Sequence, residues 1–269
     1  MSNENETINE SGVDLCGQHE ALEDDVKFIL SVIGSPVKKA LEACCGCGRI
    51  LIPLAKAGHN VSGFDICSED MDEITAKSGG LKNIIWRKAN ALYDDWGSGF
   101  DVVVLAGNIL FNIEEIKPGM TYKKAQALLI QKAAAALVPG GYVYIEYHPF
   151  APNGRTLTRP GQSCDDDGSI CWSCEGYDDD GTFEKDSITS GSFDEETGML
   201  KFKGYYEQRL ANGKVITEEY ERTKHYATLE HIHGWLSEAG FVIELECEDF
   251  NKKPIDDESK SVIIYARKK

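Results

Sequence analysis

The 269-residue chain carries 45 acidic against 28 basic side chains, a formal net charge of −17; such a surface repels phosphate backbones, so no nucleic-acid partner is expected and a small ligand is favoured. Its length and ordinary composition, 42% hydrophobic and 27% charged, suit one large domain or one domain with a sizeable insertion. The polar, acidic start MSNENETINESG lacks the basic and apolar regions of a signal peptide, and no apolar run reaches a membrane span, so a cytoplasmic protein with no membrane partner is expected.

Residues 1–18 read as a flexible tail. From Glu20 the pattern turns helical: Leu22, Val26, Ile29, Leu30 and Ile33 recur at spacings of three and four, and Gly34-Ser35-Pro36 ends the run. Short apolar runs then alternate with helical stretches. Strands are predicted over 37–44, 60–66, 83–91, 100–108 and 142–148. Helices are predicted over 49–58, 69–79 and 120–138, the last stopped by Pro139-Gly140-Gly141. This alternation argues for an α/β fold, a doubly wound parallel sheet with helices on both faces. Residues 150–225 break the pattern. They are rich in Gly, Asp, Ser and Thr, with strand-like runs separated by DEETG at 194–198 and by Asn212-Gly213, both hairpin signals. Their Tyr, Phe and Ile content predicts an inserted antiparallel sheet. A helix over 228–241, with Thr228 as N-cap and Gly240 at its end, precedes two closing strands, FVIELECEDF and SVIIYARKK. The expected domains are the tail 1–18, a core of 19–149 and 226–269, and an inserted lid or substrate subdomain of 150–225.

The stretch LEACCGCGRILIPLAKAG, residues 41–58, places an acid, three cysteines and two glycines between a strand and a helix. Glycines let a ligand approach the backbone, and a helix N-terminus offers free N–H groups. The dinucleotide fingerprint G-x-G-x-x-G requires a third glycine where this chain has Leu51, so a nicotinamide oxidoreductase is disfavoured. The segment resembles instead the first motif of the class I S-adenosylmethionine-dependent methyltransferases: a hydrophobic strand, an acid, then Gly-x-Gly-x-Gly. Leu41, Glu42, Ala43, Cys44, Cys45, Gly46, Cys47, Gly48 and Arg49 match it in order, with Cys44 in place of the first glycine.

That resemblance continues along the chain. Asp65 in GFDI ends the second strand, where the family's acid binds both ribose hydroxyls, and Ile66 takes the position that packs on adenine. Asn90 and Ala91 follow the third strand, with Asn90 a candidate for the adenine amino group. Ala106, Gly107 and Asn108 in LAGN end the fourth, beneath the methionine moiety; LVPGGYVYIEY is similar to the family's LKPGG hairpin. The resemblance covers residues 20–148 and 226–269. It implies a Rossmann-like, mostly parallel seven-stranded sheet with a C-terminal antiparallel hairpin, S-adenosyl-L-methionine as cofactor, and cofactor contacts from Glu42, Ala43, Cys44, Gly46, Gly48, Arg49, Asp65, Ile66, Asn90, Ala91, Ala106 and Gly107.

The carboxyl ends of the strands also carry Asn108, Tyr147 and His148, the candidate catalytic residues; His148 is suited to accept a proton or, alternatively, only to hydrogen-bond near Pro149, and Asn108 to orient the acceptor or to cap the strand end. The layout is similar to the glycine and sarcosine N-methyltransferase group and points to a small-molecule acceptor, an amine or other small polar compound. A hydroxyl or thiophilic acceptor, such as an arsenical, and a non-catalytic cofactor-binding protein are the alternatives. No metal is expected. The C-C-x-C of Cys44, Cys45 and Cys47 is not a zinc spacing, and Cys164, Cys171 and Cys174 offer a single C-x-x-C. CDDDG and YDDDG lack the pattern of a calcium loop and read as turns. His225, His231 and His233 read as structural or exposed, and the aromatics Trp172, Tyr177, Tyr205, Tyr206 and Tyr220 mostly as one face of the small sheet.

Overall fold

The computed structural model describes residues 24–113, 116–148, 163–164, 170–177, 181–194, 196–256, 259 and 261–269. Helices α1 (Asp24–Ile33), α2 (Leu51–Lys56), α3 (Ser68–Lys77), α4 (Tyr122–Ala136) and α5 (Leu229–Glu238) accompany strands β1 (Lys39–Ala43), β2 (Asn60–Asp65), β3 (Ile84–Lys88), β4 (Phe100–Leu105), β5 (Leu137–Tyr147), β11 (Phe241–Cys247) and β12 (Val262–Lys268). Between β5 and α5 lie β6 (Ser163–Cys164), β7 (Ile170–Tyr177), β8 (Phe183–Asp194), β9 (Met199–Arg209) and β10 (Val215–His225). Among the described residues, no helix is long and apolar enough to cross a membrane.

The first sheet has the order β11-β12-β5-β4-β1-β2-β3. Its five central and edge strands β5, β4, β1, β2 and β3 run parallel, whereas β12 is antiparallel to both β5 and β11. This is the doubly wound, mostly parallel seven-stranded sheet with a closing hairpin that the sequence predicts. The parallel strands are buried on both faces, so their side chains divide by the pleat. In β1, Leu41 and Ala43 join one core layer with Leu129 and Ala133 of α4 and Ile232 and Leu236 of α5. Ala40 joins the other, with Phe28 and Ile29 of α1, Leu51 and Leu54 of α2 and Ile74 of α3.

Several boundaries differ from the sequence expectation. Helix α2 has six residues, 51–56, because Gly48 (φ +84) and the turn after it come between strand and helix. Strand β5 begins at Leu137, running through the Pro139-Gly140-Gly141 segment expected to be a turn; Phe100 pairs with Leu137 and the register shifts before Val102 pairs with Tyr142. The buried stripe of α1 is Asp25, Phe28, Ile29 and Ile33, with Val26 and Leu30 only partly covered. The stripe is thus rotated towards a position where an acid replaces an apolar residue.

Leu51 has a counterpart on the adjacent strand. A Cβ added to Gly63 of β2 would lie 2.7 Å from Leu51 Cδ2 and 2.9 Å from Cys45 Sγ. In a dinucleotide site a glycine on the helix permits close helix–strand packing. Here the glycine stands on the strand and the bulky residue on the helix.

The described residues divide into two compact units, one made from residues within 163–192 and 201–222, the other from 24–148, 193–200 and 223–269. Strands β10-β9-β8-β7-β6 form the second, five-stranded sheet. The Asp194–Gly198 turn is closed by Gly198 N–H to Asp194 O, and the Asn212-Gly213 turn by Gly213 N–H to Leu210 O, as the hairpin signals predict. Within the smaller unit Gln208 Nε2 donates to the buried Glu184 (2.6 Å), and Tyr220 Oη donates to Asp186 (2.6 Å). Tyr220 also covers Gly204, where a Cβ would lie 2.1 Å from its ring. Side chains of Cys164, Cys171, Trp172 and Cys174, and both Asp-rich turns at 165–168 and 178–180, lie outside the described residues, so the zinc and calcium readings have no structural counterpart here.

In the larger unit a buried amide clasps three elements. Gln126 of α4 donates through Nε2 to Leu110 O (2.8 Å) and His225 O (2.9 Å), and its Oε1 lies 2.7 Å from His225 Nδ1. Burial, with Lys123 and His231 adding repulsion, lowers the His225 pKa to about 4, so the imidazole is neutral and donates through Nδ1–H. His231 completes a capping box with Thr228 at the start of α5, and His233 pairs with Glu246. All three histidines have the structural roles expected of them.

Gly63→Ala tests the close approach. A methyl group there overpacks against Leu51 and Cys45, and the variant is expected to lose about 1–3 kcal/mol in urea unfolding. Adding Leu51→Ala is expected to return part of that loss, giving a non-additive cycle.

Candidate cofactor and acceptor site

The strand order reverses between β1 and β4, and at such a switch point the crevice outside the carboxyl strand ends receives ligands. In the lateral order β3-β2-β1-β4-β5, those ends carry Asn90 and Ala91, Asp65 and Ile66, residues 44–49, Ala106 to Asn108, and Tyr147 with His148. The sheet therefore brings these sequence-predicted site residues to one edge, with Glu42 and Ala43 in the last two positions of β1 beside them.

The loop after β1 is built from left-handed backbone: Cys44 has φ +58, Gly46 +47 and Gly48 +84. Glycine adopts this conformation freely, whereas a cysteine there costs about 1 kcal/mol. The cysteine thus stands where the backbone itself demands what glycine supplies. Gly48 is also crowded, since a Cβ would lie 3.0 Å from Ile74 and 3.2 Å from Ile52. Cys45 N–H donates to Phe64 O (3.0 Å) and Gly46 N–H to Asp65 Oδ2 (2.9 Å). The other Asp65 oxygen accepts from Cys67 N–H (3.0 Å). Each carboxylate oxygen retains a lone pair for a further donor. Ile66, next to it, is 55% exposed despite its apolar side chain, a surface suited to an aromatic base.

Other predicted residues are placed differently from one another. Ala43 is buried in the core, so its backbone alone faces the crevice. Asn90 turns its Oδ1 onto Leu92 N–H (2.9 Å) and Tyr93 N–H (3.2 Å), fixing the turn after β3. Gly107 and Asn108 both have positive φ, +65 and +57, and Asn108 Oδ1 accepts from His148 N–H (3.1 Å). Tyr147 is fully buried and its hydroxyl accepts from Ala227 N–H (2.7 Å), a contact that holds the strand end in the core. The cysteines of the loop sit among carboxylates: Cys44 is exposed, yet the loop desolvates its sulfur, and with Asp65 and Glu42 this pushes the thiol pKa up, as it does for buried Cys45. Neither is an activated thiolate.

Under the loop lies a buried charge cluster that the motif reading reveals only in part. Arg49 binds Asp25 of α1 at 2.6 Å, with the Asp25 side chain 5% exposed. Glu42 of β1 is buried; Leu51 N–H donates to its carboxylate and its Oε2 is buried without a hydrogen-bond partner. Burial pushes its pKa up to about 8, against the pull of Arg49. Glu146 of β5 accepts from Gly107 N–H, and burial with the Asp25 charge raises it to about 7. Asp25 and Glu146 were not motif residues. An acid inside the buried stripe of α1 is the signal that points to Asp25.

The chain's residues fit a sulfonium nucleoside. Backbone N–H groups and glycines form a cradle, a carboxylate stands where a ribose would offer two hydroxyls, an exposed apolar side chain stands beside it, and acids outnumber Arg49 beneath. A groove of about 670 Å³ on the open face of β3, lined by Trp86, Arg87, Asp94 and Trp96, contains none of these residues.

The raised carboxyls give a stability prediction. Glu42 and Glu146 hold protons in the folded state that an unfolded chain loses near pH 4.5, so their contribution is complete below about pH 4.5 and is lost as pH rises through 7 and 8. Urea midpoints are expected to fall between pH 5.5 and 8.5, and Glu42→Gln, uncharged throughout, is expected to flatten that fall.

Residues 40–141 match the methyltransferase domain family. None of the curated proteins matches the chain. Among solved structures, the CcbJ methyltransferase of Streptomyces caelestis superposes with TM-score 0.68 at 17% identity, over 97% of this chain and 94% of its own. An S-adenosylmethionine-dependent methyltransferase of Clostridium acetobutylicum gives 0.69 at 14%, over 91% of each chain. A sugar N-methyltransferase of Streptoalloteichus gives 0.62 at 15%, over 96% and 90%. Residues 40–141 thus match the methyltransferase domain family, in a chain with the fold of the class I methyltransferases, and the family match supports S-adenosylmethionine as the cofactor.

Proposed function

We propose that the protein is a cytoplasmic S-adenosylmethionine-dependent methyltransferase acting on a small polar acceptor, an amine in first place. The observation that carries this reading is the left-handed loop 44–48 tied by Asp65 at the strand-order reversal, with exposed Ile66 beside it. When bound, the cofactor supplies an electrophilic methyl group on a sulfonium centre.

The chain's own contribution is alignment, which provides most of the acceleration in an in-line displacement. Asp65 grips the sugar, Ile66 covers the base, and the backbone of Ala43, Cys44, Gly46 and Gly48 lines the tail. Glu42 and Arg49 set the charge beneath it. Ala91, Ala106 and Gly107 contribute small surfaces and backbone, and Asn90 stabilises its turn. Asn108 holds His148 through its backbone N–H, so the imidazole stands at the end of β5 as the proton acceptor. Tyr147 serves this geometry through Ala227 rather than by touching substrate. The inserted strands of 150–225 act as the subdomain that selects the acceptor.

Two similar structures are, by name, an amino pentose methyltransferase of Micromonospora echinaspora and a sugar N-methyltransferase. That supports an amine, as does the acidic character of the chain. One observation favours a second reading, a binding protein without turnover: Cys44 puts a β-carbon on backbone that glycine fits best.

Calorimetry with S-adenosylhomocysteine is expected to show binding and NAD none. Asp65→Ala is expected to weaken that binding by about 1–3 kcal/mol, roughly fivefold to 150-fold. Unchanged affinity removes the ribose role. Incubation with labelled cofactor and a panel of amines, alcohols and thiols then separates an enzyme from a binder.

A further inference from the structure

The two strand ends nearest the acceptor carry a carboxylate and an imidazole that are held together by the backbone. Glu146 accepts a hydrogen bond from Gly107 N–H, one residue before Asn108. Asn108 in turn accepts from His148 N–H, and His148 Nε2 lies 3.8 Å from Glu146 Oε1. The Glu146 side chain is 15% exposed and that of His148 48%, and both residues stand at the carboxyl end of β5. The charge around Glu146 is one-sided. Asp25 of α1 acts on it, and the one guanidinium that does, Arg49, is already bonded to Asp25. On the same face of β5 the Tyr144 hydroxyl is fully buried without a hydrogen-bond partner. With Arg49 committed to Asp25, a charged Glu146 has no guanidinium or ammonium of its own among the described residues at the carboxyl end of β5.

Resting on the methyltransferase reading above, we propose that Glu146 is the acceptor's anchor and His148 its base: the carboxylate holds a primary or secondary ammonium and the imidazole takes its proton. The acceptor is therefore an amine that enters as a cation. The ammonium gives one proton to His148 Nε2, which frees the nitrogen lone pair. That pair forms the N–CH₃ bond as the S–CH₃ bond breaks, and the S–C electron pair stays on sulfur, neutralising it. The product leaves as the methylated ammonium, and His148 returns its proton to solvent. Glu146 does not change its protonation; it provides charge and position. An alcohol, uncharged and much less acidic than an ammonium, offers Glu146 nothing and keeps its proton.

Glu146 is charged only above about pH 7, where an acceptor with an ordinary amine pKa remains protonated. Ammonium binding is thus expected to strengthen as pH rises through 7, with Asp25, Glu42, Arg49, Tyr144 and His148 the other charged or titratable groups facing the site.

The test uses the full chain saturated with S-adenosylhomocysteine and matched pairs in which NH₃⁺ replaces OH: glucosamine and glucose, ethanolamine and ethylene glycol, galactosamine and galactose. Calorimetric binding and, with the methyl donor, methyl transfer are measured from pH 6 to 8.5. The expected result is that only amine members bind and are methylated. Glu146→Gln, measured at saturating S-adenosylhomocysteine, is expected to raise KM and the amine Kd tenfold or more and to remove the rise through pH 7. His148→Asn is expected to lower kcat with little change in KM. Glu146→Asp, if Gln unfolds the strand end, is expected to keep the amine preference. Methylation of the hydroxyl members, wild-type kinetics and binding in Glu146→Gln, or no amine bound or methylated while the cofactor binds, each overturns the proposal. Failure of the wild-type chain to bind S-adenosylhomocysteine overturns the methyltransferase reading itself, and this inference with it.

Discussion

Asp65 accepts hydrogen bonds from Gly46 N–H and Cys67 N–H, joining the loop after β1 to the turn after β2. Loop 44–48 occupies left-handed backbone at three positions, which has no internal reason to persist in one arrangement. The carboxylate gives it one. Because Asp65 ends β2 in register with β1 and β3, the rigidity of the parallel sheet passes to the loop through that side chain. The cradle, the exposed Ile66 and the entry to α2 are all placed by it. Close packing makes this possible, since Gly63 lets Leu51 and Cys45 rest against β2.

Beneath the cradle the protein tolerates an unfavourable arrangement. Burying Glu42, Glu146 and Asp25 around Arg49 disfavours their charged forms, and two of the three carboxyls respond by holding their protons to higher pH. A core optimised for stability alone would replace them with apolar residues of the same volume. Their presence at the strand-order reversal is intelligible if a cationic ligand completes the charge, and perturbed groups of this kind gather where ligands and chemistry are.

Much of this was legible in the residues. The alternation of apolar runs and turn residues gives the parallel core, because strand and helix periods differ and Gly, Pro and Asn mark the changes. DEETG and Asn212-Gly213 give the hairpins, because left-handed turns favour few residues. The order of Glu42, Gly46, Gly48, Asp65 and Asn108 along the chain gives the crevice. The remainder depends on long-range packing. Asp25 stands outside the apolar spacing of Leu22, Val26, Ile29, Leu30 and Ile33, and only packing turns it into the buried stripe of α1. Glu146 alternates with the core residues Ile145 and Tyr147, and its partner Gly107 belongs to another strand. Tyr147 is a catalytic candidate by its place at a strand end, but Ala227 N–H, 80 residues away in sequence, donates to its hydroxyl and gives it a different task.

The most direct measurement is a crystal structure of the chain with S-adenosylhomocysteine. The account requires the ribose hydroxyls within hydrogen-bonding distance of Asp65, the adenine over Ile66, and the amino acid tail along residues 43–48. A nucleoside lodged elsewhere, such as the groove beside Trp86 and Trp96, or a pyrophosphate compound displacing it from the loop, contradicts it.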